Sequence, residues 1–177
     1  MPNQSTRRQL LKASATLAAT AGVAGFTNSL HAQEKVVKKG RIKQTVCHWC
    51  YKGVSLDDMA IAAKKLGLVG VDLVKPADLP VMKKHGLVCT MTSSHGIGKG
   101  LNYPANHEEC LKQINEGIEA NAKFGFRNVI CFSGNRRGMD DKVGLKNCVT
   151  ALKKIVPVAE KNNVIINMEL LNSRVNH

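Results

Sequence analysis

From Gln44 onward the chain alternates short apolar runs with amphipathic stretches of helical period, and this alternation is the feature that most restricts its fold. Gln44 to Trp49, Gly70 to Val74, Leu87 to Thr92, Asn128 to Phe132 and Val164 to Leu170 read as strands. Between them lie four helices. The first begins at the N-cap Ser55, carries Asp57 and Asp58 in its first turn, repeats Leu56, Met59, Ala60, Ala63 and Leu66, and closes at Gly67. Ala77 to His85 is a short second helix. His107 to Phe124 is a third, with a stripe of Leu111, Ile114, Ile118 and Ala122. The fourth runs from about Asp141 to Asn162, with Leu145, Cys148, Val149, Leu152, Ile155, Val156 and Ala159 on its buried face and a kink expected at Pro157. Strict strand–helix alternation implies parallel strands joined by right-handed crossovers, with both sheet faces covered. No G-x-G-x-x-G follows the first strand, so a dinucleotide fold has no support. Gly96-Ile97-Gly98-Lys99-Gly100 lacks the ending of a phosphate-binding loop and is a weak signal for one.

The first 32 residues read as an address. Thr6-Arg7-Arg8-Gln9-Leu10-Leu11-Lys12 precedes an uncharged stretch, Ala13 to Phe26, in the manner of a twin-arginine export signal. The apolar run is shorter than the ~20 residues of a membrane span, and Leu30-His31-Ala32 offers a cleavage point before Gln33. The expectation is a signal over 1–32, a linker over 33–43 and a domain over 44–177, handed to the twin-arginine machinery and exported to the periplasm without a stable membrane anchor.

Charge separates partner classes. The full chain has 26 Lys and Arg against 13 Asp and Glu, net +13; removal of Arg7, Arg8 and Lys12 leaves 23 bases and a net +10. The lysines fall in scattered pairs such as Lys64-Lys65 and Lys153-Lys154, with no interleaved aromatics to stack bases. This describes a solvated surface rather than a nucleic-acid site. Of the six cysteines, Cys89 and Cys131 lie in apolar strands, and Cys110 and Cys148 on apolar helix stripes, as buried free thiols do. Cys47-His48-Trp49-Cys50 has the spacing of a redox pair or half a zinc site, but no second such pair follows; the main reading is a strand end lining a pocket.

Polar residues gather where strands end: His48; Ser93, Ser94 and His95; Ser133, Asn135, Arg136 and Arg137; Glu169 and Asn172. In a barrel such ends converge on one face. Glu169, at the mouth of a buried strand, must be paired, hydrogen-bonded or bound to a metal. Arg136 or Arg137 could clamp a substrate carboxylate bidentately. His48, His95 and Asn172 complete the candidate substrate-binding set.

These stretches resemble the hydroxypyruvate isomerase-like group of the xylose isomerase-like TIM-barrel superfamily. The resemblance rests on Cys47 to Tyr51, Gly70 to Val74, Gly96 to Gly100, Asn128 to Gly138 and Met168-Glu169-Leu170-Leu171-Asn172-Ser173. It implies a divalent metal, Mg²⁺ or Mn²⁺, held by two glutamates, an aspartate and a histidine, with the fifth-strand glutamate at Glu169 as both ligand and catalytic acid/base. It also implies proton transfer through an enediolate, hydroxypyruvate giving tartronate semialdehyde. The fold expected is the first five strands and four helices of a (β/α)₈ barrel, because a complete one takes ~250 residues. The other family ligands belong to later strands; His48, His95 and His177 do not match them. The chain is therefore read as the N-terminal part of such an enzyme, inactive alone. Competing readings are a sugar 3-epimerase of the same fold, a thiol or metal-binding protein working through Cys47 and Cys50, and a non-catalytic sugar-binding domain. A homo-oligomer is left open.

Overall fold

Ser55 caps its helix as its position predicts: its hydroxyl accepts the Asp58 N–H at 3.0 Å, and Gly67, at φ 82°, closes the same helix. An N-cap of this kind is worth about 1 kcal/mol. The computed structural model describes residues 39–172, and within them the alternation becomes five strands and four helices in turn. They are β1 (Thr45–Cys47), α1 (Leu56–Leu66), β2 (Gly70–Asp72), α2 (Leu79–Lys84), β3 (Val88–Cys89), α3 (His107–Phe124), β4 (Asn128–Phe132), α4 (Asp141–Lys161) and β5 (Ile165–Glu169). The stretch expected to be an export signal, and most of the expected linker, lie outside the described residues. Among the described residues no helix is long and apolar enough to cross a membrane.

The strands are parallel. Val46 lies beside Val71, Val71 beside Cys89, and Asn128 to Phe132 pair with Ile165 to Glu169. Thr92 makes the joint between the two sheets, bridging Val74 on one side and Val129 on the other. Its N–H donates to the Asn128 carbonyl at 2.8 Å, and its carbonyl accepts the Ile130 N–H at 3.0 Å. The strand order is therefore the sequence order. β1 is shorter than the expected Gln44 to Trp49: pairing stops at Cys47 opposite Asp72, and His48–Cys50 turn into a 3₁₀ helix.

Each helix packs on its sequence neighbour, α1 on α2, α2 on α3 and α3 on α4, while α1, α3 and α4 also cover β2, β4 and β5. All four thus lie on one side of the sheet. This corrects the expectation that both faces are covered. Crossovers of a single hand with no reversal of strand order keep every helix on one side, which is the winding of a barrel rather than of a doubly wound sheet. Val71, Cys89, Val129 and Cys131 are buried beneath the helices. Strand alternation turns the residues between them to the opposite, inner face, where Val88 and Ile165 are each 47% exposed.

Two clusters form the core. Met59, Ala63, Val71, Leu79, Met82 and Cys89 fill the space under α1 and α2; Ile114, Ile118, Val129, Cys131, Cys148 and Ile155 fill that under α3 and α4. All six cysteines are free, and Cys89, Cys110, Cys131 and Cys148 are buried as expected. The helix stripes shift from the sequence reading. On α3, Ala122 is exposed and Asn121 is buried, because the joint at Thr92 needs a polar partner. On α4, a small-residue seam of Gly144, Cys148, Ala151, Ile155 and Ala159 is buried, while Leu145 (65% exposed), Val149 and Val156 are not. The helix continues through Pro157.

Candidate functional site

The carboxyl ends of β2 to β4 open onto a cleft of about 1060 Å³, whose walls include Trp49, Leu73, Ser93, Ser94, His95 and Phe132, with Lys75, Lys112, Glu109 and Glu116 among the charged lining residues. His95 stands at its centre, buried. Its Nε2 accepts the Phe132 N–H at 3.3 Å and its Nδ1 donates to the Lys99 carbonyl at 2.9 Å, so both ring nitrogens are used and the imidazole is neutral. Burial holds its pKa below the ordinary 6.5, against the opposing pull of the Gly96 and Lys99 carbonyls and the Glu109 charge. The rings of His95 and Phe132 meet edge to face, with centroids 5.7 Å apart. As placed, His95 ties the loop after β3 to β4 and offers a ligand its ring edge rather than a free nitrogen. Ser93 and Ser94 are likewise committed, to the carbonyls of Val74 and Ile130.

The glycine-rich loop packs against protein rather than cradling a phosphate. Leu101 and Asn102 donate their N–H groups to Phe132 and Ser133 at 3.1 and 2.8 Å, and Asn102 Nδ2 donates to the Asn135 carbonyl at 2.8 Å. A Cβ on Gly100 would stand 2.2 Å from Gly134 N, so only glycine permits this approach of the two loops.

Glu169 pairs in register with Phe132, so its side chain shares the inner face with that ring at the carboxyl end of β5. The sequence reading placed it on a buried strand; instead the residue is exposed, because β5 pairs on one side only among the described residues, and its carboxylate takes no hydrogen bond from any of them. Arg136 and Asn172 lie elsewhere. They line a groove of about 460 Å³ between α4 and the helix side of β5, with Leu145, Val149, Met168 and Leu170. The exposed Arg136 guanidinium is bound to Asp141 at 3.1 Å, and Arg137 sits at φ 46° with its carbonyl turned toward the Tyr103 hydroxyl. Arg136 therefore does not share the inner face with Glu169. His48 donates from Nε2 to the Val54 carbonyl at 2.7 Å, folding the β1 turn on itself; Trp49, rather than Cys47 or Cys50, is the part of that turn lining the cleft.

Asp72 was missed. It accepts the Thr45 hydroxyl at 2.5 Å on the inner face, and its Oδ1 is shielded with no partner among the described residues. Its place one step from the buried Val71 was the available signal.

The family profile described as "Xylose isomerase-like TIM barrel" matches residues 79–177. The chain belongs to that family. Solved structures agree on the fold. A 3-keto-D-glucoside 4-epimerase from E. coli is 16% identical, with a TM-score of 0.60 over 74% of this chain and 57% of its own. A family 2 AP endonuclease from Brucella melitensis is 14% identical, with a TM-score of 0.63 over 75% and 57%. A D-psicose 3-epimerase from Clostridium cellulolyticum H10, solved with D-tagatose, is 14% identical, with a TM-score of 0.59 over 74% and 53%. The chain spans a little over half the length of these structures. No curated protein matches the sequence.

Against the metal that resemblance to the xylose isomerase-like family implies, the donor set is short. Among the described residues no three His, Cys, Asp or Glu side chains converge to hold an ion. Glu169 is a single oxygen donor, whereas Mg²⁺ demands near-octahedral coordination, commonly met by carboxylates together with waters and substrate. The described residues alone do not fit the metal.

Proposed function

We propose that this chain forms part of an isomerase acting on small α-hydroxycarbonyl compounds, with hydroxypyruvate as the first candidate substrate and Glu169 as the proton-transfer group. The observation that carries the reading is the placement of Glu169: a carboxylate at the carboxyl end of a parallel strand, on the inner face, in register with Phe132, which itself lines the cleft. A hydrogen on a carbon next to a carbonyl is weakly acidic, and a positioned carboxylate can remove it and return it to the neighbouring carbon. For hydroxypyruvate the proton leaves the hydroxymethyl carbon and arrives at the former keto carbon, while a hydroxyl proton moves between the two oxygens, giving tartronate semialdehyde. The substrate carboxylate falls to Lys75 or Lys112, which line the cleft, rather than to Arg136, which lines the other groove.

A sugar 3-epimerase is the second reading, supported by the names of similar structures that are D-psicose 3-epimerases. There the proton returns to the opposite face of the same carbon. We also propose export through the twin-arginine route, on the Arg7-Arg8 pair before its apolar run; lysines at both positions should keep a fused reporter in the cytoplasm.

The test is solvent-deuterium incorporation, followed by NMR, in hydroxypyruvate and in a panel of ketoses, with the enzyme containing this segment and its Glu169→Gln variant. Exchange into hydroxypyruvate that the variant loses by about 10²-fold or more supports the reading, in line with the usual worth of a general acid or base. Exchange confined to ketoses transfers it to the epimerase. Exchange undiminished in the variant removes Glu169 from the chemistry. The 177-residue chain alone, given Mg²⁺ or Mn²⁺, is expected to show no turnover.

A further inference from the structure

The C-x-x-C pair is left unused by the reading above, and its setting differs from that of the other four cysteines. Cys47 ends β1 and is half-buried; Cys50 ends the following 3₁₀ turn and is exposed. Cys47 is the extended N-cap of that turn and Cys50 its last residue; a chain reversal over four residues brings its end Cα atoms within about 7 Å, overlapping the range of roughly 4.4–6.8 Å that a disulfide spans. No large backbone movement is needed to join them. The two thiols are close enough for charge on Cys50 to raise the Cys47 thiol, after burial and the Asp72 carboxylate have done so. By contrast Cys89, Cys110, Cys131 and Cys148 are buried in the two core clusters, and burial pushes Cys131 up to about 12.

We propose that Cys47 and Cys50 form a reversible intramolecular disulfide that fixes the β1 turn at the cleft. The oxidant is a low-molecular-weight disulfide such as oxidised glutathione. The exposed Cys50 thiolate attacks one glutathione sulfur and releases the first glutathione thiolate, leaving a mixed disulfide. Cys47, having lost its proton, then attacks Cys50 Sγ and releases the second. Two protein thiols are oxidised, one glutathione disulfide is reduced to two thiols, and the two protons end on glutathione. The closed ring contains His48 and Trp49, so oxidation restrains the turn held by the His48–Val54 bond and the indole that lines the cleft.

Trp49 is the chain's sole tryptophan and is 69% exposed, which makes it a reporter inside the ring. The full chain is equilibrated across glutathione ratios, alkylated with iodoacetamide without denaturant, and mapped by mass spectrometry. The expected result is a Cys47–Cys50 peptide lighter by two hydrogens at the oxidised end and doubly alkylated after dithiothreitol, with the four core cysteines unlabelled throughout. Trp49 emission should follow the same midpoint. In Cys47→Ser the reaction should stop with glutathione held on Cys50. Both thiols remaining alkylatable at every ratio in the wild-type chain, which needs no mutant to fold, would overturn the proposal. So would a Cys47→Ser chain that carries no glutathione on Cys50.

Discussion

Asn121 gives the sharpest test of how the two sheets are held together. It is wholly buried on α3; its Oδ1 accepts the Thr92 hydroxyl at 2.6 Å and its Nδ2 donates to the Asn128 carbonyl at 2.9 Å. Thr92 is the residue through which β3 and β4 meet. Asn121→Ala removes two hydrogen bonds, each worth about 1 kcal/mol net, and leaves the fully buried Thr92 hydroxyl with only the distant Cys89 sulfur at 3.5 Å. Adding part of that desolvation penalty and a small void gives a loss of roughly 3 kcal/mol. Thr92→Val breaks one bond and strands the Asn121 carbonyl, for about 1–2 kcal/mol. Because the two changes remove the same contact, the double variant should lose less than the sum by about 1 kcal/mol. Urea unfolding of the full chain, followed by far-UV circular dichroism, measures all three. An Asn121→Ala loss below about 1 kcal/mol, or strict additivity, would refute the claim that this network holds the joint.

Two further outcomes follow from the loops around the cleft. Gly100→Ala drives a Cβ into the Gly134 and Ser133 backbone, 2.2–2.3 Å away, and should lower stability by roughly 3 kcal/mol or more in thermal melts; Gly96→Ala, with nothing within 4 Å, should leave the melt unchanged. His95 is a base whose folded pKa lies below its ordinary 6.5, so the unfolded chain binds the extra proton first. Its contribution is complete above pH 6.5 and declines as pH falls from there toward the lowered folded value. A His95→Gln variant should be less stable at neutral pH and show a flatter stability profile through that window; an unchanged slope would remove His95 as its source.

Much of the fold was legible because it depends on short-range chemistry. Ser55 and Gly67 bracket α1, and β4 and α3 fall at their expected residues, since caps, glycine and apolar period act within one or two turns. Glu169 could also be placed at a strand end from its apolar run alone. The errors arise where a partner far along the chain decides. Asn121 replaces Ala122 on the buried face because Thr92, 29 residues earlier, offers it a hydroxyl. The wide apolar stripe of α4 could not show that its small-residue seam would be the buried part.

The sequence by itself determined the alternating elements, their parallel connection and the cysteines suited to burial, since each follows from composition and period along a continuous stretch. Only the tertiary structure decided that all helices lie on one side, that His95 spends both nitrogens on the backbone, and that Arg136 and Glu169 occupy different faces of β5. Those facts depend on which strand edges meet and which way each side chain alternates at the meeting point. A single step of register reverses the face.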